Sequence, residues 1–262
     1  MRKLSVCGKG GSGKSTITAL LALGLRERGY EVLVVDSDES NPGLYRMLGF
    51  PRRPEPLIDL VGGKKKVFGT FRSSEPPRNV LTQEEIRTSD IPEPYIEERD
   101  GIRMVCVGKI LQSLEGCACP MGVLSREFLK RLSLKEGEVA VVDMEAGIEH
   151  FGRGVETSLE GVLVVVEPSF DSLELAAKMK SLASEVGMED AWVVLNKVPS
   201  EEVGSKLRKE LKERGVEVIG SVGYDPEVFL SSLEGKPLRA GRAMDDLQEV
   251  LDILTGGDDG RE

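Results

Sequence analysis

A glycine-rich turn set between a buried strand and an amphipathic helix constrains this chain more than any other feature. The turn reads Gly8-Lys9-Gly10-Gly11-Ser12-Gly13-Lys14-Ser15-Thr16. Gly8, Gly13, Lys14 and Ser15 fit the G-x-x-x-x-G-K-[ST] phosphate loop. In such a loop, backbone N–H groups cradle phosphates at a helix N-terminus, where the helix dipole adds to the attraction. The lysine reaches the terminal phosphates and the serine hydroxyl ligates Mg²⁺. The flanks agree, since Leu4-Ser5-Val6-Cys7 reads as a buried strand and residues 16–28 as a helix with Ile17, Leu20, Leu21 and Leu25 on one face. Residues 8–16 are therefore expected to bind ATP or ADP with Mg²⁺. One lysine suffices for that task, and Lys9 is a second.

Beyond the loop, short β-branched runs at 32–36, 103–107, 139–143, 162–167, 192–196 and 216–222 alternate with helically spaced segments. The helical segments fall at 121–132, 172–185, 201–214 and 243–254. Several of the β runs are continuously apolar, which suits strands covered on both faces. The alternation predicts an α/β fold, a doubly wound and mostly parallel sheet with helices on both sides and ligand at the carboxyl ends of the strands. The 262 residues are expected to form one such domain. Residues 51–100 interrupt the rhythm with Pro, Gly and charge, and too few apolar residues for a core of their own. They read as an irregular insertion, and the segment from about 256 as a flexible acidic tail.

Composition narrows the partners. A net charge of −10 disfavours sequence-independent nucleic-acid binding. The apolar run at 162–166 is too short to span a bilayer, and Met1-Arg2-Lys3 leads into a short strand rather than a secretory h-region. These features predict a cytoplasmic protein without a membrane partner. The last helix has an apolar stripe of Met244, Leu247, Val250, Leu251 and Leu254, but its other face carries Asp245, Asp246, Glu249 and Asp252. Acid there repels anionic lipid and DNA, so the stripe is expected to pack on the chain's own sheet.

Two sets of residues carry candidate chemistry beside the loop. Asp36 and Asp38 follow one strand and Asp143 ends another, where aspartates can hold a Mg²⁺ shell or orient an attacking water. Asn196 ends a further strand; its amide offers a base edge both a donor and an acceptor, or it simply forms a turn. Cys117 and Cys119 lie one residue apart in Gly116-Cys117-Ala118-Cys119-Pro120-Met121-Gly122. Their thiolates suit Zn²⁺, Cu(I), an iron–sulfur cluster or Ni²⁺. Two ligands are too few for a closed tetrahedral site, and a two-fold dimer would supply four. Cys7 and Cys106 lie in strands and read as buried fillers, the single histidine His150 as structural or solvated, and Lys64-Lys65-Lys66 as a solvated surface.

The doubled lysine of Lys9-Gly10-Gly11-Ser12-Gly13-Lys14-Ser15 resembles the deviant Walker A loop of the MinD/ParA/nitrogenase-iron-protein class of ATPases. That resemblance implies a P-loop NTPase fold of the SIMIBI type and a nucleotide-sandwich homodimer. It makes Lys9 the lysine that touches the partner's nucleotide, Lys14 the ordinary phosphate lysine, and Asp38 the switch I residue that positions water. Asp143 would open switch II, and Asn196 would face the adenine. Adding the cysteine segment and Asp143-Met144-Glu145-Ala146-Gly147-Ile148-Glu149-His150 makes the chain similar to the CooC-type ATPases. These mature the nickel site of carbon monoxide dehydrogenase or the related acetyl-CoA synthase complex. The resemblance implies Ni²⁺ or Zn²⁺ held by Cys117 and Cys119 of two chains. A positioning or partition ATPase and an electron-donating iron protein share the fold and remain as alternatives. Glu39, where many relatives have Pro, and Ser12, where others have Val, are the departures.

Overall fold

The computed structural model describes residues 2–38, 41–73, 79–108, 119–147, 158–188, 190–239 and 241–256. Cys117, His150, Glu39 and the acidic tail beyond residue 256 lie outside them, as does the side chain of Cys119. Eight strands form one sheet in the order β3-β4-β2-β5-β1-β6-β7-β8. They are β1 (Lys3–Gly8), β2 (Glu31–Asp36), β3 (Ile96–Arg99), β4 (Ile102–Cys106), β5 (Glu138–Asp143), β6 (Gly161–Val166), β7 (Ala191–Val198) and β8 (Val218–Gly223). Every neighbouring pair is parallel except β3 with β4. The chain runs outward from β1 to β2 on one side and from β5 past β1 to β6 on the other. The phosphate loop after β1 therefore sits at the switch point, where open α/β sheets bind ligands.

Alternate residues of each strand feed the two faces, because side chains of a pleated strand alternate. Leu4 and Val6 of β1, with Val32 and Val34 of β2, pack under α1 (Lys14–Glu27) and the last helix. Cys7, Leu33 and Val35 face the opposite layer, which holds α4 (Cys119–Arg131), α5 (Phe170–Glu185) and α6 (Glu201–Glu213). Counting α2 (Leu44–Met47), α3 (Lys64–Arg72) and α7 (Pro226–Glu234), the last helix is α8 (Gly241–Leu254). Its Leu247, Val250, Leu251 and Leu254 are buried against α1 and β8, so the apolar stripe is covered by this chain. Among the described residues, no helix is long and apolar enough to cross a membrane.

The region 51–100 is more ordered than its composition predicts. It holds α3 and short 3-10 turns at Leu57–Val61, Val80–Thr82 and Thr88–Asp90. It also supplies β3, the antiparallel edge strand. Leu57, Ile58, Val61, Val67, Leu81 and Ile86 are buried in the same cluster as Phe128 and Leu129 of α4. The segment has no separate core because it completes the main one.

Candidate nucleotide site

Two glycines allow the phosphate loop to take its path. Gly8 has φ 143°, and a Cβ there would stand 2.5 Å from the Val165 carbonyl of β6. Gly13 has φ 94° in the left-handed region, and a Cβ there would collide with the Asn196 amide. Gly13 is also the N-cap of α1, whose first turn carries no acidic residue. The positive end of α1 borders a cavity of about 570 Å³. The cavity's phosphate end is lined by Gly10, Gly11, Lys14, Ser15, Thr16 and Asp38. Its far end is lined by Val222, Tyr224, Val228 and Phe229, and Asn196 lies between. The Tyr224 and Phe229 rings, centroids 6.3 Å apart, give that end an apolar wall suited to a base.

The carboxylates converge because their strands are adjacent. Asp36 and Asp143 are register partners on β2 and β5, and both are buried with Asp38. Ser15 Oγ donates to Asp143 Oδ2 at 2.5 Å, and Thr18 Oγ1 contacts Oδ1 at 3.5 Å. Asn41 Nδ2 donates to the same Ser15 hydroxyl. Burial pushes the Asp143 carboxyl up to about 7, reinforced by Asp36 and Asp38 and opposed by the Ser15 hydroxyl and Lys14. Mg²⁺ takes only one or two protein oxygens when phosphates and waters complete its shell. The Ser15 hydroxyl and buried Asp143 carboxylate fit that demand, and a bound Mg²⁺ would neutralise charge on the terminal phosphates. Among the described residues, no group of three or more His, Cys, Asp or Glu side chains could hold a metal ion.

The two lysines of the loop face different ways. Lys14 is buried and lines the cavity. Lys9 does not line it; its Nζ pairs instead with Asp171 Oδ2 at 3.0 Å, in the first turn of α5. The segment after β5 also meets the loop through its backbone, where Gly147 N–H donates to the Gly8 carbonyl at 3.2 Å. Cys7 and Cys106 are fully buried, and burial pushes the Cys7 thiol up, away from the reactive thiolate.

Asn196 sits against the cavity, but its Nδ2 donates to the Ser12 carbonyl at 2.8 Å. One of its two amide N–H groups is thereby committed to the phosphate loop, while the residue still lines the cavity. Asn41, Asp171, Thr18 and Lys197 enter the site without a sequence motif to announce them. The Asn41-Pro42 turn signal just after Asp38 was the one available hint.

Ser12 carries a hydroxyl that is buried without a hydrogen-bond partner. An orphaned hydroxyl costs about 1–3 kcal/mol. Ser12→Ala is thus expected to raise the melting temperature by roughly 3–6 °C and to keep ADP affinity within about twofold. Thermal unfolding and an ADP titration check both.

A family model for the CobQ/CobB/MinD/ParA nucleotide binding domain matches residues 4–238. An uncharacterized ATP-binding protein of Methanocaldococcus jannaschii is 39% identical over 254 residues, spanning 97% of this chain and 99% of the relative. The carbon monoxide dehydrogenase accessory protein CooC of Rhodospirillum rubrum is 32% identical over 244 residues, 89% of this chain and 88% of that protein. Among solved structures, the septum site-determining protein MinD of Pyrococcus horikoshii, complexed with Mg-ADP, superposes with a TM-score of 0.69. Its identity is 19%, and the match covers 97% of this chain and 95% of that one.

Proposed function

The chain belongs to the CobQ/CobB/MinD/ParA family of P-loop nucleotide-binding domains, and from that membership we propose that it is an ATP-driven metallochaperone. Two copies close on ATP, with Lys9 of each reaching the other's phosphates, and Asp38 aids hydrolysis. Cys117 and Cys119 of both copies form a four-thiolate site that carries Ni²⁺, or Zn²⁺ in its place, as cargo. The acceptor is carbon monoxide dehydrogenase or the acetyl-CoA synthase complex. The 32% identity to CooC over most of the chain, together with the C-x-C pair, supports the choice of cargo and acceptor.

One observation carries the coupling between nucleotide and cargo. Ser37, between Asp36 and Asp38, shares a 2.7 Å hydroxyl–hydroxyl hydrogen bond with Ser125 of α4, the helix that Cys119 opens. Next to it, Val107 N–H donates to the Asp36 carbonyl at 2.9 Å. Val107 precedes the cysteine segment in the sequence. A change at the carboxylates on nucleotide binding or hydrolysis is thereby linked to α4, the helix that Cys119 opens. That link supports a cargo ATPase over a positioning ATPase.

The test is a Ni²⁺ and Zn²⁺ titration of wild type and Cys117→Ser/Cys119→Ser, with mass measured with and without ATP. Wild type is expected to bind about one metal per dimer and the double variant none. Equal stoichiometry in both proteins would remove the shared thiolate site. Ser125→Ala is expected to keep metal binding and lose most of the ATP dependence of metal affinity, a coupling of about 1–3 kcal/mol.

A further inference from the structure

Lys197 lines the nucleotide cavity, yet no phosphate-loop motif includes it. It is one of two non-glycine residues with positive φ among the described residues, at 57°. A side chain in that region is disfavoured, and such strain persists only where the surroundings impose it. The cause is a bulge at the end of β7. Leu195 pairs with Ser221 and Val198 with Gly223, so three steps on β7 face two on β8. Bulges of this kind re-aim side chains next to sites.

Here the bulge turns Asn196 and Lys197 together onto the phosphate loop. Asn196 Nδ2 takes the Ser12 carbonyl and Lys197 Nζ takes the Gly11 carbonyl. Glu167 Oε2, just past β6, holds the same ammonium at 3.3 Å. Lys9 to Ser12 is a tight turn closed by a 3.1 Å bond from Ser12 N–H to the Lys9 carbonyl. A phosphate loop binds anions only if its N–H groups point inward, which sends its carbonyls outward to find other partners. Two consecutive residues supply those partners to two consecutive carbonyls.

We propose that Lys197 is a positioning residue for nucleotide: its ammonium, anchored by Glu167, clamps the crest of the Lys9–Ser12 turn and holds the loop in its phosphate-binding form. The strain at Lys197 is retained for that contact. Its role is separate from the cross-dimer action of Lys9 and holds whether or not two chains close.

The experiment titrates ADP with Mg²⁺ into wild type, Lys197→Gln, Lys197→Gly and Lys197→Arg, with melting temperatures taken on the same samples. Lys197→Gln is expected to lose about 5- to 10-fold in ADP affinity. Lys197→Gly relieves the backbone strain, so its nucleotide-free melting temperature should rise while its ADP affinity falls as far as that of the Gln variant. Lys197→Arg should recover most of the affinity. Turnover at saturating ATP should fall less than affinity in every variant. A glycine variant that keeps ADP affinity within about twofold overturns the proposal. So does a fall in turnover as large as the loss of affinity, which would mark a direct contact with the reacting phosphate.

Discussion

Replacing Lys9 with Gln is expected to lower ATP turnover about 10³-fold while leaving ADP affinity within about threefold. The size follows from the task assigned to the side chain. A cation delivered from outside to the γ-phosphate stabilises transition-state charge, and such groups contribute about 10³–10⁵ in rate. The preserved affinity follows from geometry, because Lys14 lines the cavity and Lys9 points away from it to Asp171. That ion pair is weak enough to give way: its side chains are 35% and 76% exposed, and exposed pairs contribute at most about 1 kcal/mol. A mixing experiment separates action across a dimer from action within a chain. Lys9→Gln keeps an intact nucleotide site but lacks the cation to donate, and Lys14→Gln has the reverse defect. Mixed in equal amounts, the two inactive proteins should recover a sizeable fraction of wild-type phosphate release. No recovery, with mixed dimers shown to form, would place Lys9 at its own chain's nucleotide or nowhere in the reaction.

The parts of this molecule that could be read from sequence are those whose signal is local. The Val-rich strands of the parallel sheet are covered on both faces, so each is a continuous apolar run, and each lies within a residue or two of its expected place. β3 gave no such signal. Ile96-Glu97-Glu98-Arg99 is a half-exposed edge strand that needs one apolar residue, and only its pairing with β4 makes it a strand. The apolar residues of 51–100 were equally hidden, since Leu57, Val67 and Ile86 reach the main core from irregular backbone without a period. The site divides the same way. Gly8 to Thr16 and Asp36 to Asp38 are contiguous motifs and were legible. Asp171 acts on the loop from the first turn of α5, Asn196 and Lys197 from the end of β7, and the strand order that brings them there has no counterpart in residue spacing. What the Asn196 amide meets likewise depends on where Ser12 lies in space.

Asp143→Asn is expected to stabilise the nucleotide-free protein and to abolish its response to Mg²⁺ with nucleotide. Asp143 is fully buried with Asp36 and Asp38 close by, and its carboxyl titrates at about 7 rather than in the usual carboxylate range. A raised folded-state value means that the native state holds a proton the unfolded chain has already lost. The stabilisation is complete below the unfolded value near 4 and disappears as pH rises through about 7. Between pH 5 and pH 8 that loss is about 2–3 kcal/mol. Asparagine has the same shape and never ionises, so the variant should show no such loss. At pH 8 it should melt roughly 5–10 °C above wild type, and the two curves should converge toward pH 4. Mg²⁺ reverses the order. Its charge favours the ionised carboxylate, so Mg-ADP should raise the melting temperature of wild type at pH 8 and scarcely move that of the variant. A variant that melts below wild type at pH 8 without nucleotide would mean that Asp143 is held ionised by its surroundings. In that case the carboxylates would be a structural element, and the destabilised charge that a bound Mg²⁺ relieves would have to be sought elsewhere.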